Sequence, residues 1–155
     1  MNTASHFLVF WLDQQRFALP VAAVDRVLQA VEVTPIHAAP GPVLGVINVQ
    51  GTVLAVINLR RRCGLPPKEM DLDDQLVLVR TARRTLVLPV DMTAVMQCAP
   101  AAHVPAGNIL PGLNSIAGLV KDEQGMILIH DPDALLSLED ERALEAVASS
   151  GEGAR

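Results

Sequence analysis

The stretch VLGVINVQGTVLAVIN, residues 43–58, contains two runs of mostly β-branched and aliphatic residues on either side of Gln50 and Gly51. Such runs are typical of β-strands, and glycine readily takes the positive φ that a tight hairpin turn requires. The stretch therefore predicts an antiparallel hairpin with strands at residues 43–49 and 52–57.

The residues that follow this hairpin, LRRRCG at 59–64, predict one helical turn. Gly64 is of the residue type that most often ends a helix. We expect Arg60, Arg61 and Arg62 to face solvent, since a short charged stretch usually forms a solvated helix face.

The chain contains an internal repeat. Residues 8–21, LVFWLDQQRFALPV, align with residues 77–90, VLVRTARRTLVLPV, because each has an apolar run, a polar turn and an apolar run ending in Leu-Pro-Val. A proline-rich segment with a histidine follows in each copy, His37 in the first and His103 in the second, and each copy then ends in a hairpin. The sequence therefore predicts two copies of one strand-rich unit.

A unit of about 60 residues and about five short strands has the size of a small barrel, which leaves no exposed sheet edge. Two such units are marginally stable alone, so we expect them to share a hydrophobic core. The prediction is a mainly β domain at 1–148, with subdomains at about 14–75 and 76–135 and with the placement of the N-terminal strands left open. A short C-terminal helix at 138–149 and a disordered tail at 149–155 complete it.

The composition argues against several classes of function. A net charge of −5, three Phe, one Trp and no Tyr disfavour nucleic-acid binding. No segment has the roughly 18 apolar residues of a membrane-spanning helix, and no signal peptide is evident, so we expect a soluble cytoplasmic protein without direct membrane insertion. Cys63 and Cys98 match no metal-binding spacing and are expected to be reduced thiols.

No pattern of catalytic or cofactor-binding residues is evident. The four histidines have no metal-ligand spacing, and neither a glycine-rich phosphate loop nor a Gly-x-Ser-x-Gly motif occurs. Asp91 follows a predicted strand, and Asp131 is placed to cap the next helical turn. The sequence therefore predicts a protein that is not an enzyme and that has no cofactor and no metal.

The aliphatic content points instead to protein binding. The mean hydropathy is +0.34, which implies more apolar side chains than two small barrels can bury. An exposed apolar groove would then be a site for a protein partner. The alternative is that the surplus fills only the interface between the two units.

Four segments resemble the CheW family of chemotaxis coupling proteins. The residues VLGVINVQGTVLAVINLRRRCGL at 43–65 resemble its signature hairpin and short helix. The segments FALPVAAVDRVLQ at 17–29, LVLPVDMTAVMQ at 86–97 and GMILIHDPDALL at 125–136 resemble other strands and the closing helical turn of the family. Their order along the chain is that of the family.

This resemblance implies both a fold and a role. The fold is two SH3-like five-stranded barrels packed on a shared hydrophobic core. The role is a non-catalytic adaptor between the cytoplasmic tip of a methyl-accepting chemoreceptor and the regulatory domain of a CheA-type histidine kinase. The location is cytoplasmic, with recruitment to receptor arrays, and the receptor would bind as a helical hairpin in an apolar groove.

The resemblance also carries over to single residues. Val24 matches a groove-lining valine, whereas Gln50, Arg26 and Asn58 depart from an arginine, an acidic residue and an aspartate of the family. Such charge changes alter partner choice, so we expect a specialised member. The residues predicted to bind a partner are Val24, Arg26, Val27, Val46, Asn48, Gln50, Gly51 and Asn58.

Two alternatives stay open. The first is a kinase-binding coupling protein or decoy without receptor contact, because charges at the rim of the groove are changed. The second is a barrel that binds a small ligand or a metal, for which His37 and His103 would be the candidate ligands.

Overall fold

The computed structural model describes residues 5–37, 41–98, 103–105 and 116–150, which form a mainly β structure. The helices are α1 Leu59–Arg62 and α2 Leu138–Ser150, and 3-10 turns lie at Val21–Ala23 and Pro132–Ala134. The strands are β1 Ser5–Leu12, β2 Gln15–Pro20, β3 Val24–Gln29, β4 Val43–Val49, β5 Thr52–Ile57, β6 Gln75–Arg80, β7 Thr85–Val90, β8 Met92–Cys98, β9 His103–Pro105, β10 Ile116–Asp122 and β11 Gly125–His130.

The strands form two sheets, and each sheet combines strands from both copies of the repeat. The six-stranded sheet has the order β8-β1-β2-β11-β10-β9, and the five-stranded sheet has the order β3-β6-β7-β5-β4. The first hairpin of each copy, β1-β2 or β6-β7, thus pairs with strands of the other copy. The sheets divide the chain differently from the subdomains at 14–75 and 76–135, whose boundaries stay a prediction.

The two sheets have matching registers. The exchanged hairpins join their sheets through parallel pairs, with Phe17 opposite Leu128 in one sheet and Ala55 opposite Leu86 in the other. The terminal hairpins both have a register shift, just before Gly45 and just before Gly118. This agreement supports the internal repeat found in the sequence.

The prediction of two five-stranded barrels is only partly confirmed. The mainly β class, the two sheets and the C-terminal helix are present, but one sheet has six strands, and no closed barrel forms among the described residues. In the five-stranded sheet, the chain beyond β3 reaches β4 through one bridge, in which Thr34 and Val46 exchange backbone hydrogen bonds of 2.9 and 2.8 Å. Pro35 follows at once and has no N–H to extend the ladder.

Strand alternation places apolar side chains in three clusters. In β6, Val77 and Val79 face a core shared by the two sheets, whereas Leu76 and Leu78 face a cluster inside the five-stranded sheet. A matching cluster lies inside the six-stranded sheet. The shared core comprises Leu8, Phe10, Leu12, Phe17, Leu19, Val43, Ala55, Ile57, Leu59, Val77, Val79, Leu86, Leu88, Val90, Leu135, Leu136 and Leu144.

Helix α2 packs on this shared core. The Ser137 hydroxyl accepts a hydrogen bond of 3.0 Å from the Asp140 N–H and so caps the helix N-terminus. Leu144 is buried in the core, and Glu141 forms a 2.6 Å ion pair with Arg84. The helix continues to Ser150, so the first two residues of the predicted tail are helical, and residues 151–155 lie outside the described part of the chain.

Candidate protein-interaction site

Three of the predicted partner-binding residues lie on β3. Val24 and Val27 are half-buried and pack against the shared core, whereas Arg26 is exposed. The register shifts between Val24 and Arg26, which pair with Val79 and Leu78. The bulge inserts Asp25, which is exposed. Strand β3 thus presents a partly apolar surface with charged neighbours.

Gln50 and Gly51 form the turn of the β4–β5 hairpin, and Asn48 lies just before it on β4. Gln50 and Gly51 have φ values of 52° and 89°, which matches the tight turn that the sequence predicts. The Asn48 side-chain oxygen accepts a 2.8 Å hydrogen bond from the Gly51 N–H. Asn48 and Gly51 therefore have a local structural role, and partner binding by them stays a prediction.

Val46 and Asn58 also have structural roles. Val46 is half-buried and takes part in the bridge to Thr34. Asn58 caps α1, because its side-chain oxygen accepts a 3.1 Å hydrogen bond from the Arg61 N–H. Val24, Arg26 and Val27 lie on β3, whereas the other five predicted residues lie in the β4–β5 hairpin or directly after it. Partner binding by all eight residues stays a prediction.

A pair of exposed arginines shares one carboxylate beside the β3 bulge. Arg26 Nε lies 3.3 Å from Asp25 Oδ2, and Arg80 Nη1 lies 3.1 Å from Asp25 Oδ1. Arg80 Nη2 also donates a 3.1 Å hydrogen bond to the carbonyl oxygen of Ala22. These residues and the adjacent valines are called the arginine patch, which comprises Val21, Val24, Asp25, Arg26 and Arg80.

A second group of charges corrects the prediction that Arg60 faces solvent. Arg60 is only 9% exposed, since its Nη1 donates to Asp13 Oδ1 at 2.9 Å and its Nη2 donates to Asp91 Oδ1 at 2.9 Å. Lys68 Nζ lies 3.1 Å from Asp74 Oδ1 and 3.2 Å from Asp91 Oδ1. These five residues are called the charge network.

The charge network joins the two sheets. Asp13 lies in the β1–β2 turn, Arg60 lies in α1 after β5, and Asp91 lies where the chain crosses from β7 to β8. The Asp13 N–H donates a 2.7 Å hydrogen bond to Asp91 Oδ2, and the Asp91 N–H donates a 2.9 Å hydrogen bond to the Trp11 carbonyl. The buried guanidinium is thus neutralised by carboxylates on both of its sides.

The network shifts the pKa values of its members. Burial alone would raise the pKa of Asp91, but hydrogen bonds from the Asp13 N–H, Lys68 and Arg60 outweigh it and lower the pKa. Burial alone would lower the pKa values of Arg60 and Lys68, but hydrogen bonds to their carboxylate partners outweigh it and raise both. Each ionised form is therefore favoured in the folded state.

The network forms one wall of a cavity of about 480 Å³ beside the five-stranded sheet. Leu44, Val33 and Met70 line its apolar side, and Lys68 and Asp91 line its polar side. At the wall of this cavity Arg60 pairs with Asp91, and Lys68 pairs with Asp74 and Asp91, while the exposed Glu69 also lines it.

The sequence analysis missed the charge network. Asp91 was expected only to follow a strand, and the three consecutive arginines from Arg60 resembled a solvated face. One available signal was the repeat itself, because Asp91 aligns with Ala22 and so marks a position where the two copies differ.

Metal binding finds no support among the described residues. No group of three or more His, Cys, Asp or Glu that could hold an ion occurs there. His37 is exposed, and the side chain of His103 lies outside what the structure describes. His130 is buried against Phe10 and Phe17, with its Nε2 3.8 Å from the Sγ of Cys63. In the part of the chain that the structure describes, no helix is long and apolar enough to span a bilayer.

The geometry agrees with a known family, since the CheW-like domain family matches residues 6–140. The chain belongs to the CheW family. This match covers both sheets, the arginine patch and the whole charge network, and it ends within α2.

Individual CheW proteins are similar at low identity. The chemotaxis protein CheW of Bacillus subtilis is 26% identical over 144 residues, which is 90% of this chain and 91% of that protein. The chemotaxis protein CheW of Rhizobium meliloti is 29% identical over 90 residues, so the matched part spans only 58% of each chain.

A solved structure shares the fold. The scaffolding protein TtCheW of Thermoanaerobacter tengcongensis superposes with a TM-score of 0.80 at 23% identity, covering 89% of this chain and 96% of that one. The CheW arrangement of two sheets and a C-terminal helix is therefore that of this chain.

Proposed function

We propose that this protein is a non-catalytic adaptor that couples chemoreceptors to a CheA-type histidine kinase, in chemotaxis or a related signalling pathway. The match of the CheW-like domain family across residues 6–140 carries this proposal. The relatives named above as chemotaxis and scaffolding proteins support it. The adaptor would act in the cytoplasm, at receptor arrays.

The surface of β3 has the chemistry of a helix-binding site. Val24 and Val27 offer half-buried aliphatic side chains, and the exposed Arg26 lies between them in the sequence of the same strand. A helix of the receptor tip would bury apolar residues against these valines, while polar residues at the rim fix its register. Such recognition needs a preformed surface and no catalytic group.

The charges of this surface favour a specialised member of the family. Arg26 stands where the family resemblance implies an acidic residue, and Gln50 stands where it implies an arginine. Replacing one charge by its opposite changes partner choice, because like charges opposed across an interface can cost several kcal/mol. This protein would therefore serve a receptor and a kinase of its own.

Co-sedimentation tests the adaptor function directly. Purified protein is mixed with the regulatory domain of the kinase and with a receptor-tip fragment from the same organism, together and separately. Val24→Asp should reduce receptor binding at least tenfold, since it places a charge in the apolar contact. Val95→Asp is the matched control, because Val95 is 70% exposed on β8 of the other sheet.

The outcomes separate the proposed function from its closest alternative. Binding to both fragments supports the adaptor. Binding to the kinase domain alone supports a coupling protein or decoy without receptor contact, which the changed charge at Arg26 motivates. The adaptor proposal fails if neither fragment binds, or if Val24→Asp and Val95→Asp reduce receptor binding equally.

A further inference from the structure

The cavity described above lies where the connector that follows α1 meets the start of β4 and the ends of β5 and β7. Its volume of about 480 Å³ is within the range of roughly 300–1,000 Å³ that is typical of small-molecule sites. The proposed adaptor function does not use this cavity. That function is assigned to the surface of β3, and none of the described residues that line the cavity belongs to β3.

Hydrogen bonds hold the connector in place as one wall of the cavity. The Asp74 carboxylate accepts a 2.8 Å hydrogen bond from the Asp71 N–H and lies 3.1 Å from Lys68 Nζ. The Asp74 carbonyl accepts a 3.0 Å hydrogen bond from the Ala30 N–H, and Lys68 Nζ lies 3.2 Å from Oδ1 of Asp91, just after β7. The cavity is therefore preformed, which lowers the entropic cost of binding a ligand.

One side of the cavity is apolar and accessible. Leu44 is 43% exposed, so much of its side chain remains available for contact. Val33 and Met70 are half-buried and pack against the apolar cluster inside the five-stranded sheet, and Pro67 and Pro89 complete this side. These side chains can bury the hydrocarbon part of a ligand.

The other side of the cavity has an excess of negative charge. It contains the cations of Arg60 and Lys68 and the three carboxylates of Asp74, Asp91 and Glu69. The first four are paired with one another. Glu69 is exposed and forms no ion pair within the described part of the chain. One carboxylate is thus available to a ligand.

This arrangement favours a cationic ligand over an anionic one. An anion would compete with Asp74 and Asp91 for Lys68, and three carboxylates would repel it. A cation can pair with Glu69, while the positive charge of Lys68 is already compensated by two carboxylates. A ligand that fits both sides has a positive charge at one end and an apolar body.

We propose that this cavity binds a small organic cation in which an ammonium group is attached to an apolar body. The ammonium group pairs with the carboxylate of Glu69, and the body contacts Leu44, Val33 and Met70. This inference goes beyond the proposed adaptor function, and its test requires neither a receptor nor a kinase. The two proposals therefore stand or fall separately.

Calorimetry with three probes of similar shape tests the charge preference. At neutral pH, phenethylamine is positive, phenethyl alcohol is neutral and hydrocinnamate is negative. The full chain should bind the amine about fivefold or more tightly than the alcohol, and the carboxylate more weakly than either. Added salt should reduce the difference between the amine and the alcohol, because Glu69 is exposed.

Three variants assign this preference to the cavity. Glu69→Gln should lower the affinity for the amine to that for the alcohol and leave binding of the alcohol unchanged, which a general structural change would not do. Leu44→Ala should weaken binding of both probes by a similar factor, since it removes apolar contact area. Glu123→Gln is the matched control, because Glu123 is exposed in the β10–β11 turn, and it should change each affinity less than twofold.

Nuclear magnetic resonance shows where the amine binds. The largest shifts of backbone amide signals should occur near Leu44, Glu69 and Met70. Largest shifts at Met92 and Val95 of β8, which are 52% and 70% exposed, would show binding to another apolar surface and overturn the proposal.

Other results would also overturn the proposal. These are equal affinity for the three probes, equal effects of Glu69→Gln and Glu123→Gln, or no binding of the amine at millimolar concentration. Tightest binding of the carboxylate would show an anion site at Lys68 instead. Circular dichroism of each variant checks the fold, and the decisive variant, Glu69→Gln, changes an exposed side chain.

Discussion

The chain crosses between its sheets twice, and the two crossovers are held in different ways. From β7 to β8, Asp91 is held by the buried Arg60, by Lys68 and by the Asp13 N–H. From β2 to β3, the only side-chain hydrogen bond described to the turn is the one from the exposed Arg80 to the Ala22 carbonyl. Two copies with the same topology have thus diverged in their polar groups.

This difference indicates that ion pairs at the β7–β8 crossover stabilise the contact between the two sheets. The β2–β3 crossover has no comparable network among the described residues. Apolar patterning gives both copies the same strand pairing, because it acts along the whole strand. A few charged residues then connect one crossover to its neighbours by ion pairs, while the arginines near the other crossover are exposed. The variants below test that division, in order of expected effect on stability.

Arg60→Met should have the largest effect. It leaves Asp13 and Asp91 without their guanidinium in a partly buried site, so the free energy of unfolding should fall by about 2–3 kcal/mol. Urea denaturation measures it. Arg61→Met is the control, since the Arg61 side chain is exposed and its guanidinium donates to the Gly41 carbonyl, and its effect should be below about 0.5 kcal/mol. If Arg60→Met and Arg61→Met lower the free energy of unfolding equally, Arg60 does not stabilise the contact between the sheets.

Asp91→Asn should have an intermediate effect that depends on pH. The pKa of Asp91 is lowered by folding, so its ionised form stabilises the protein at neutral pH. That stabilisation is present above the unfolded pKa of about 4 and is lost as the pH falls through the lower folded pKa. At pH 7, the variant should be less stable by about 1–2 kcal/mol.

Denaturation between pH 7 and pH 3 checks this dependence. The difference between the wild type and Asp91→Asn should shrink below about pH 4. Asp73→Asn serves as the control, because Asp73 is exposed in the connector before β6, and its effect should be small at every pH. A difference that stays constant down to pH 3 would show that the charge of Asp91 does not act.

Arg80→Met should have the smallest effect on stability. Its ion pair with Asp25 is exposed, and such pairs contribute about 0–1 kcal/mol. Thermal unfolding should therefore shift little. If Arg80→Met destabilises the protein as much as Arg60→Met does, the charged residues at both crossovers stabilise the contact between the sheets.

The sequence predicted what depends on local patterns. The hairpin around Gln50 and Gly51, the repeat, and the cap formed by Asp131 are confirmed. These features follow from residue type and spacing along the chain. The CheW family was likewise identified from contiguous motifs, and the match over residues 6–140 confirms it.

What the sequence did not predict depends on contacts between distant residues. The apolar pattern of β1 and β2 is the same whichever sheet they join, so it could not show the exchange of hairpins. Arg60 meets partners 47 and 31 positions away, and no local pattern shows that it is buried. Asn48 and Asn58 make local hydrogen bonds, whereas the family resemblance implied only that they bind a partner.

The exchange of hairpins makes each half of the chain depend on the other. A fragment ending in the connector after α1 would contain β1 to β5, but its β3 and β5 would lack β6 and β7, the strands they pair with. The remaining fragment would lack β1 and β2 in the same way. Cleavage in that connector would therefore give two pieces that fold by complementing each other, as two subunits of an intertwined dimer do.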